Sequence, residues 1–387
     1  MDCNPPPPPE LLTDNNELVP DKIGETVFSK HWLFQSLISV MQAVEKENKT
    51  ENDVLELDSE LEEKICMLWD MSSNKDIAHF LLENKAIEIF LEMINMTVSP
   101  RLVEIIVGIL GNMAFFGDIC EYITKNDKLV EQIITLVGST DPPILVQVIR
   151  LIHVCITNDV SSAEWINSIK NNKNFIVYIS FILKSSLNGE LLKGTLKLIY
   201  CILDKDETFC KEWNMQELIG VVIESGKQLL TLNDYKALDE FWHTLYFLLQ
   251  QENIHFNLEE NFNPIYEVFS HYILKHKENE NLLPHSDSFT AVAAAISIFI
   301  ILYSSKIDER HSLNADHCLR YIKKMFEIVK KIVIKKETME EQNSVNKKMI
   351  SESVLNDYSI DITEDLRHLY ILHDSLNDLC NLMNSST

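Results

Sequence analysis

The stretch from Gly220 to Gln228 comes nearest to a phosphate-binding loop, with two glycines followed by Lys227. Such a loop needs four residues between its glycines and a hydroxyl side chain after the lysine to ligate magnesium. Here five residues intervene, Gln228 stands in the hydroxyl position, and the apolar residues between the glycines belong to a helical pattern. The match is accidental. Metal chemistry would need histidines or cysteines that converge, and the nearest groupings are His271 with His276, His311 with His317 and Cys318, and His368 with His373. Spacings of five and six put two side chains on different helix faces, whereas helical metal pairs use three or four. Glu62-Glu63 and Glu259-Glu260 are adjacent, so each pair diverges instead of forming an acid–base dyad. No GxSxG, HExxH, GxGxxG or EF-hand pattern occurs. The expectation is a protein that is not an enzyme, with no catalytic residues, no metal, no cofactor and no small-molecule ligand.

Charge narrows the partners. The formal net charge is −25 and the sequence pI about 4.8, a balance that repels phosphate backbones and anionic lipids. Neither nucleic acid nor membrane is expected as a partner. Eight cysteines are scattered without a CxxC, which suits small buried hydrophobes in a reducing compartment. The first twenty residues are acidic and Pro-rich and lack an apolar core, so no signal peptide is expected. Arg320 to Lys336 carries seven basic residues, with Ile322, Met325, Phe326, Val329, Ile332 and Val333 at helical spacing. It reads as a helix with a solvated basic face, or as a segment that binds an acidic partner.

The elements that would position any site are helices. Only 9 of 387 residues are glycine, against about 7% in average proteins, and sheets need more turns than that supply permits. Residues 1–21 read as a disordered Pro-rich acidic tail, 22–44 as an N-terminal helix, and 45–58 as an acidic linker. A capping box at Ser59 and Glu62 opens the next helix. Helices are then expected at 77–82, 86–96, 100–120, 129–137, 144–156, 175–183, 191–203, 218–230 and 235–249. Matched apolar pairs recur at Ile109-Leu110, Leu151-Ile152 and Leu198-Ile199, and Trp165 and Trp213 repeat in the same way. Periods of about 40 to 47 residues belong to armadillo and HEAT repeats. Residues 59–251 therefore read as armadillo-like repeats, and 252–383 as irregular C-terminal helical repeats and a cap. The expected fold is an all-α, armadillo/HEAT-like solenoid of stacked two- and three-helix repeats.

In such repeats the third helix lines a concave groove that holds extended peptides. Register places Gly108, Arg150, Lys197 and His243 at one exposed level of that groove, with Glu104 and Lys193 one turn earlier. Asn112, Val154, Cys201 and Phe247 fall one turn later. Importin-type receptors carry a Trp–Asn ladder at these levels, and only Asn112 keeps it, so an import-receptor function is not expected. Glu104, Gly108, Asn112, Arg150, Lys193, Lys197 and His243 are the candidate partner-binding residues. Gly111 reads as a site of close helix packing.

Ile23-Gly24, the run Thr26 to Phe34, Cys66 with Trp69-Asp70-Met71-Ser72, the stretch Pro100 to Ala114 and Asp141-Pro142-Pro143 together resemble the serum-amyloid-A-like, or synoviocyte proliferation-associated, proteins. The resemblance runs through residues 20 to about 160 and fades to bare helical pattern beyond 200. It implies an armadillo-type, non-enzymatic protein of the nucleus or cytoplasm, linked to cell proliferation. With the composition, it points to an interaction scaffold for a protein or peptide partner. A structural subunit of a larger complex, or an enzyme whose site is assembled from distant residues, are the alternatives.

Overall fold

The structure is a computed structural model of the 387-residue chain, and it describes residues 21–47, 57–206, 208–209, 213–250, 258–277 and 288–305. Among the described residues there are 15 α-helices, one short 3-10 turn at Leu136–Gly138, and no strand. The first eight helices are α1 (Lys30–Glu47), α2 (Ser59–Met71), α3 (Lys75–Glu83), α4 (Ala86–Met96), α5 (Pro100–Met113), α6 (Gly117–Thr124), α7 (Asp127–Thr135) and α8 (Pro142–Thr157). After them come α9 (Ser162–Asn171), α10 (Phe175–Ser185), α11 (Gly189–Lys205), α12 (Met215–Leu232), α13 (Tyr235–Leu249), α14 (Leu258–Lys277) and α15 (Phe289–Ser305). The polyproline segment, the basic stretch 320–336 and the rest of the expected C-terminal repeats and cap beyond residue 305 lie outside the described residues.

Local signals set most helix starts. Ser99 accepts from the Leu102 amide and Pro100 occupies the first turn of α5, where its missing N–H costs nothing. Asp141 does the same for the Ile144 amide at 3.0 Å, ahead of Pro142 and Pro143. Asn74, Asn126, Asn214 and Asp234 cap α3, α7, α12 and α13.

The N-terminus departs from expectation in an instructive way. The helix expected over 22–44 begins only at Lys30, because Gly24 holds a left-handed φ of 52° that ordinary residues disfavour. Asp21, assigned above to the tail, accepts from the Ser29 hydroxyl and from the His31 amide, so it fixes the entry into α1. At α2 the N-cap is Asp58, not Ser59. Glu62 is free of the expected box because its carboxylate accepts from Arg101 instead.

By packing, the chain divides into two compact units, Met1–Ile179 with Cys201–Phe209, and Ser180–Tyr200 with Cys210–Thr387. In the first unit α5 is buried on nearly every side: Leu102, Ile105, Ile106, Val107, Ile109, Leu110 and Met113 are each 0% exposed. A helix that is apolar all round must be surrounded. It packs most extensively on α8, and also on α2, α3 and α4. Each such Ile or Leu contributes about 1.5–3 kcal/mol relative to exposure, which makes α5 the axis of this core. In the second unit α12 packs on α13 and α14, and α15 on α13 and α14. An aromatic cluster fills it, with Phe269 stacked on Phe299 at 4.5 Å and Trp242 edge-on to Phe269. Apolar α15 is buried here, and among the described residues no helix is long and apolar enough to cross a membrane.

Beside a shorter set such as Tyr122 to Glu88 and Tyr272 to Asp239, at 34 and 33, many side-chain hydrogen bonds between helices join residues about 40 apart. In the first unit they join residues 39, 43, 38 and 41 apart: Arg101 to Glu62, Asn112 to Trp69, Arg150 to Asn112, and Trp165 to Thr124. In the second unit Gln228 bonds Lys184, His243 bonds Thr290 and Thr244 bonds Leu196, at separations of 44, 47 and 48.

A close approach in the first unit is at Gly108, where a Cβ would lie 2.2 Å from the Trp69 ring. At Gly111 a Cβ would meet the Arg150 guanidinium at 2.9 Å. Gly108→Ala would gain about 1 kcal/mol of helix propensity but overpack by about 2 kcal/mol. Urea denaturation should therefore show a lower midpoint for Gly108→Ala in the wild-type background. The same change should be neutral or stabilising in a Trp69→Ala background. A midpoint unchanged in the wild type would contradict this packing.

Candidate functional site

One face of α5 carries its polar groups. Arg101, Glu104, Gly108 and Asn112 follow one another at spacings of three and four, so they line up along the helix. Arg101 donates from Nε to Glu62 at 2.8 Å, from Nη1 to Glu104 at 2.7 Å, and from Nη2 to the Cys66 sulfur at 3.4 Å. The hydrogen bonds to Glu104 and then Glu62 hold the guanidinium firmly charged. Burial pushes the Cys66 thiol up despite the neighbouring cation, so this cysteine is not an activated nucleophile.

The second half of this face is a three-helix junction. Trp69 of α2 lies across Gly108, half-exposed. Asn112 donates from Nδ2 to the Trp69 carbonyl at 2.9 Å and to the Ser72 hydroxyl at 3.1 Å. From α8, Arg150 donates to the Asn112 Oδ1 at 2.9 Å, to the Gly108 carbonyl at 2.8 Å and to Gln147 at 3.0 Å. The backbone carbonyl of Gly108 can accept a second bond because it has two lone pairs.

Gly108 itself is buried beneath Trp69 rather than standing at an exposed level. The structure brings Glu104, Gly108, Asn112 and Arg150 together on α5 and α8. Lys193, Lys197 and His243 belong to the second unit. There Lys197 pairs with Glu240 at 3.1 Å, His243 shares a hydrogen bond with Thr290 at 3.0 Å, and Lys193 is half-buried on α11. Next to them Tyr200 meets Phe247 edge-on at 5.0 Å.

Three groupings escaped the sequence reading. Trp69 comes from another helix, α2, and only tertiary packing reveals that it covers Gly108. His79 of α3 donates from Nδ1 to the Lys75 carbonyl at 2.8 Å and from Nε2 to the Asp118 carboxylate at 2.7 Å. Both partners are acceptors, so both ring nitrogens carry protons and the ring is an imidazolium. Its pKa is raised by the Lys75 carbonyl and then by Asp118, while the same bond lowers that of Asp118. Third, Cys120 and Cys155 are both buried in the core, and their mutual interaction draws the Cys120 thiol down and pushes Cys155 up. Ser161 and Thr124 close this polar knot around Cys120, and Trp165 donates to Thr124 at 2.9 Å.

Among the described residues no group of three or more His, Cys, Asp or Glu is placed to hold a metal ion. An open cleft of about 350 Å³ in the first unit is lined by Asp159, Ser162, Ile166, Asn167, Lys205 and Asp206. Its charges are already matched, Lys205 with Asp159 and Lys170 with Asp206, each at 2.6 Å. On the α5 face the Trp69 indole, the Asn112 amide and the Arg150 guanidinium stand side by side.

Arg150→Met keeps the aliphatic stem and removes the guanidinium bonds, and should cost about 2 kcal/mol in urea denaturation. Arg150→Lys should recover little, because a single ammonium cannot span Gly108 and Asn112 together. The His79–Asp118 pair sets a pH window. A raised histidine pKa stabilises the fold below the ordinary value of 6.5 and loses that effect as pH rises through the folded value. The lowered Asp118 pKa stabilises above the ordinary 3.8 and loses its effect as pH falls through the folded value. Asp118→Asn should thus be destabilising at pH 6 by at most about 1 kcal/mol, given the solvent screening of this pair. By pH 9 the difference in thermal midpoint should have closed.

A model of the SAAL1 C-terminal domain matches residues 175–387, the half in which the sequence alone showed only helical pattern. Protein saal1 of Danio rerio is 36% identical over 266 residues, covering 65% of this chain and 56% of that protein. Protein SAAL1 of Mus musculus is 38% identical over 221 residues, 55% of this chain and 47% of its own length. Protein SAAL1 of Homo sapiens is 29% identical across 92% of this chain and 80% of its own. The matches to the first two thus span about half the length of those relatives. Through the model that fits more than half of its length, this chain belongs to the SAAL1 family.

Proposed function

We propose that the chain is an armadillo/HEAT-like α-solenoid and serves as a non-enzymatic scaffold that binds a protein or peptide partner. The observation that carries this reading is the spacing of the interhelical hydrogen bonds. Within each unit many of them join residues 38 to 48 apart, close to one period of the apolar pattern in the sequence, while a smaller set joins residues 33 to 35 apart. Bonds at one repeat length are what consecutive stacked repeats make, since each repeat contacts mainly its neighbours. The binding surface in this reading is the α2–α5–α8 face, where Trp69 is half-exposed beside Asn112 and Arg150. An indole with an open edge next to a fixed cation is a common interface anchor. The resemblance to proliferation-associated proteins supports a role in promoting cell proliferation from the nucleus or cytoplasm.

Quantitative affinity capture with mass spectrometry tests the reading, comparing wild type with Trp69→Ala and with Glu131→Ala, an exposed control on α7. A defined set of proteins should be retained by wild type and control and fall about fivefold with Trp69→Ala, the loss expected of an interface hot spot. Circular dichroism should show all three folded. Equal capture by the three would overturn the assignment of this face.

A further inference from the structure

A second surface of the first unit lies between α1 and α4, away from the α2–α5–α8 junction. Met41, Val44, Ile89, Met93 and Met96 line a small groove there, of about 50 Å³. Small-molecule pockets run to about 300 Å³ or more, so this one fits single side chains and no compact ligand. The apolar surface continues along α1 through Ile38 and Phe34, which are 44% and 37% exposed. Positions 34, 38 and 41 fall on one line at spacings of four and three, extending about 10 Å along the helix. Met96 is also 41% exposed. Met93 and Val44 are buried at 2% exposure and form the floor, while Met41 and Met96 give the accessible walls unbranched, polarizable side chains that adapt to an uneven apolar partner.

The charged lining is of one sign. Glu45 and Glu92 stand at the groove, and neither has a hydrogen-bond or ion-pair partner among the described residues. With a whole-chain charge of −25 behind them, they repel acidic segments and anionic surfaces and attract cations. The complement is an amphipathic helix with apolar residues at i, i+4 and i+7 and lysine or arginine beside them, the helix-in-groove mode of recognition. We propose that the α1–α4 groove docks a basic amphipathic helix of a partner protein. Its apolar anchors seat on Met41 and Met96, and its cations face Glu45 and Glu92.

Fluorescence anisotropy with the full chain tests this, using as probe a labelled synthetic helix with leucines on one face and lysines on the other. Saturable binding is expected. Glu45→Lys/Glu92→Lys should weaken it about tenfold, the effect of two rim charge pairs. Met96→Ser should weaken it about threefold through lost apolar contact. Glu131→Lys/Glu164→Lys makes the same change of net charge at exposed sites on α7 and α9, and should leave the affinity unchanged. All four substituted positions in the charge variants are exposed, and thermal melts should match wild type. The proposal is overturned by absence of binding, by equal binding of a probe with glutamates in place of lysines, or by equal weakening in the groove and control variants.

Discussion

One peptide group organises the first unit, the carbonyl of Gly108. With no side chain at position 108, the Trp69 ring from α2 can lie against the α5 backbone, and the Arg150 guanidinium from α8 can reach its carbonyl at 2.8 Å. Three helices converge on a point that any Cβ would close. Asn112, one turn on, completes the junction by giving both amide protons to α2 and its oxygen to Arg150. The apolar bulk of α5 supplies most of the free energy, but apolar contact is non-directional. The register of α2 and α8 against α5 is set by these directional bonds, and the same bonds fix the only wet face of an otherwise buried helix.

The charge balance follows a related logic. The chain has 34 lysines and arginines against 59 acids, and its described cations are repeatedly used to pin helices. Arg101, Arg150, Lys170, Lys197 and Lys205 each bond a residue in another helix or its flanking loop. Exposed ion pairs of this kind contribute about 0–1 kcal/mol each, so their chief effect is on geometry. Their second effect is on the surface. When the scarce cations turn inward or sideways onto neighbours, unmatched carboxylates such as Glu45 and Glu92 determine the outward field.

Much of the helical framework was legible because its signals are local. The period of apolar residues and caps such as Ser99 and Asp141 act within one turn, and α4 and α13 begin and end where the pattern places them. Short α6 and α9, with 8 and 10 residues, escaped notice because so few turns cannot display a period. The start of α1 was misplaced because Thr26, Val27 and Phe28 suit a helix, while tertiary bonds to Asp21 and the left-handed Gly24 hold them out of it. The site was legible only in part. Register along one helix shows which residues share a face, but not which neighbour covers that face. Gly108 was therefore read as exposed when Trp69 of α2 lies on it.

That distinction bears on what a repeat groove means in this family. In the proposed repeat register the positions that match Asn112 are Val154, Cys201 and Phe247, and none of these side chains can repeat its amide bonds. At the Arg150 level Lys197 and His243 reach Glu240 and Thr290 instead. Each of these helix contacts is thus made with different chemistry, and a groove in the proposed solenoid would have no uniform ladder for clamping a long extended backbone. A partner held on the α5 face must be read by local side-chain complementarity at Trp69 and its neighbours. Specificity would then rest on a short contact, which a scaffold can supplement by engaging the same partner at a second surface, since linked weak sites bind far more tightly than either alone.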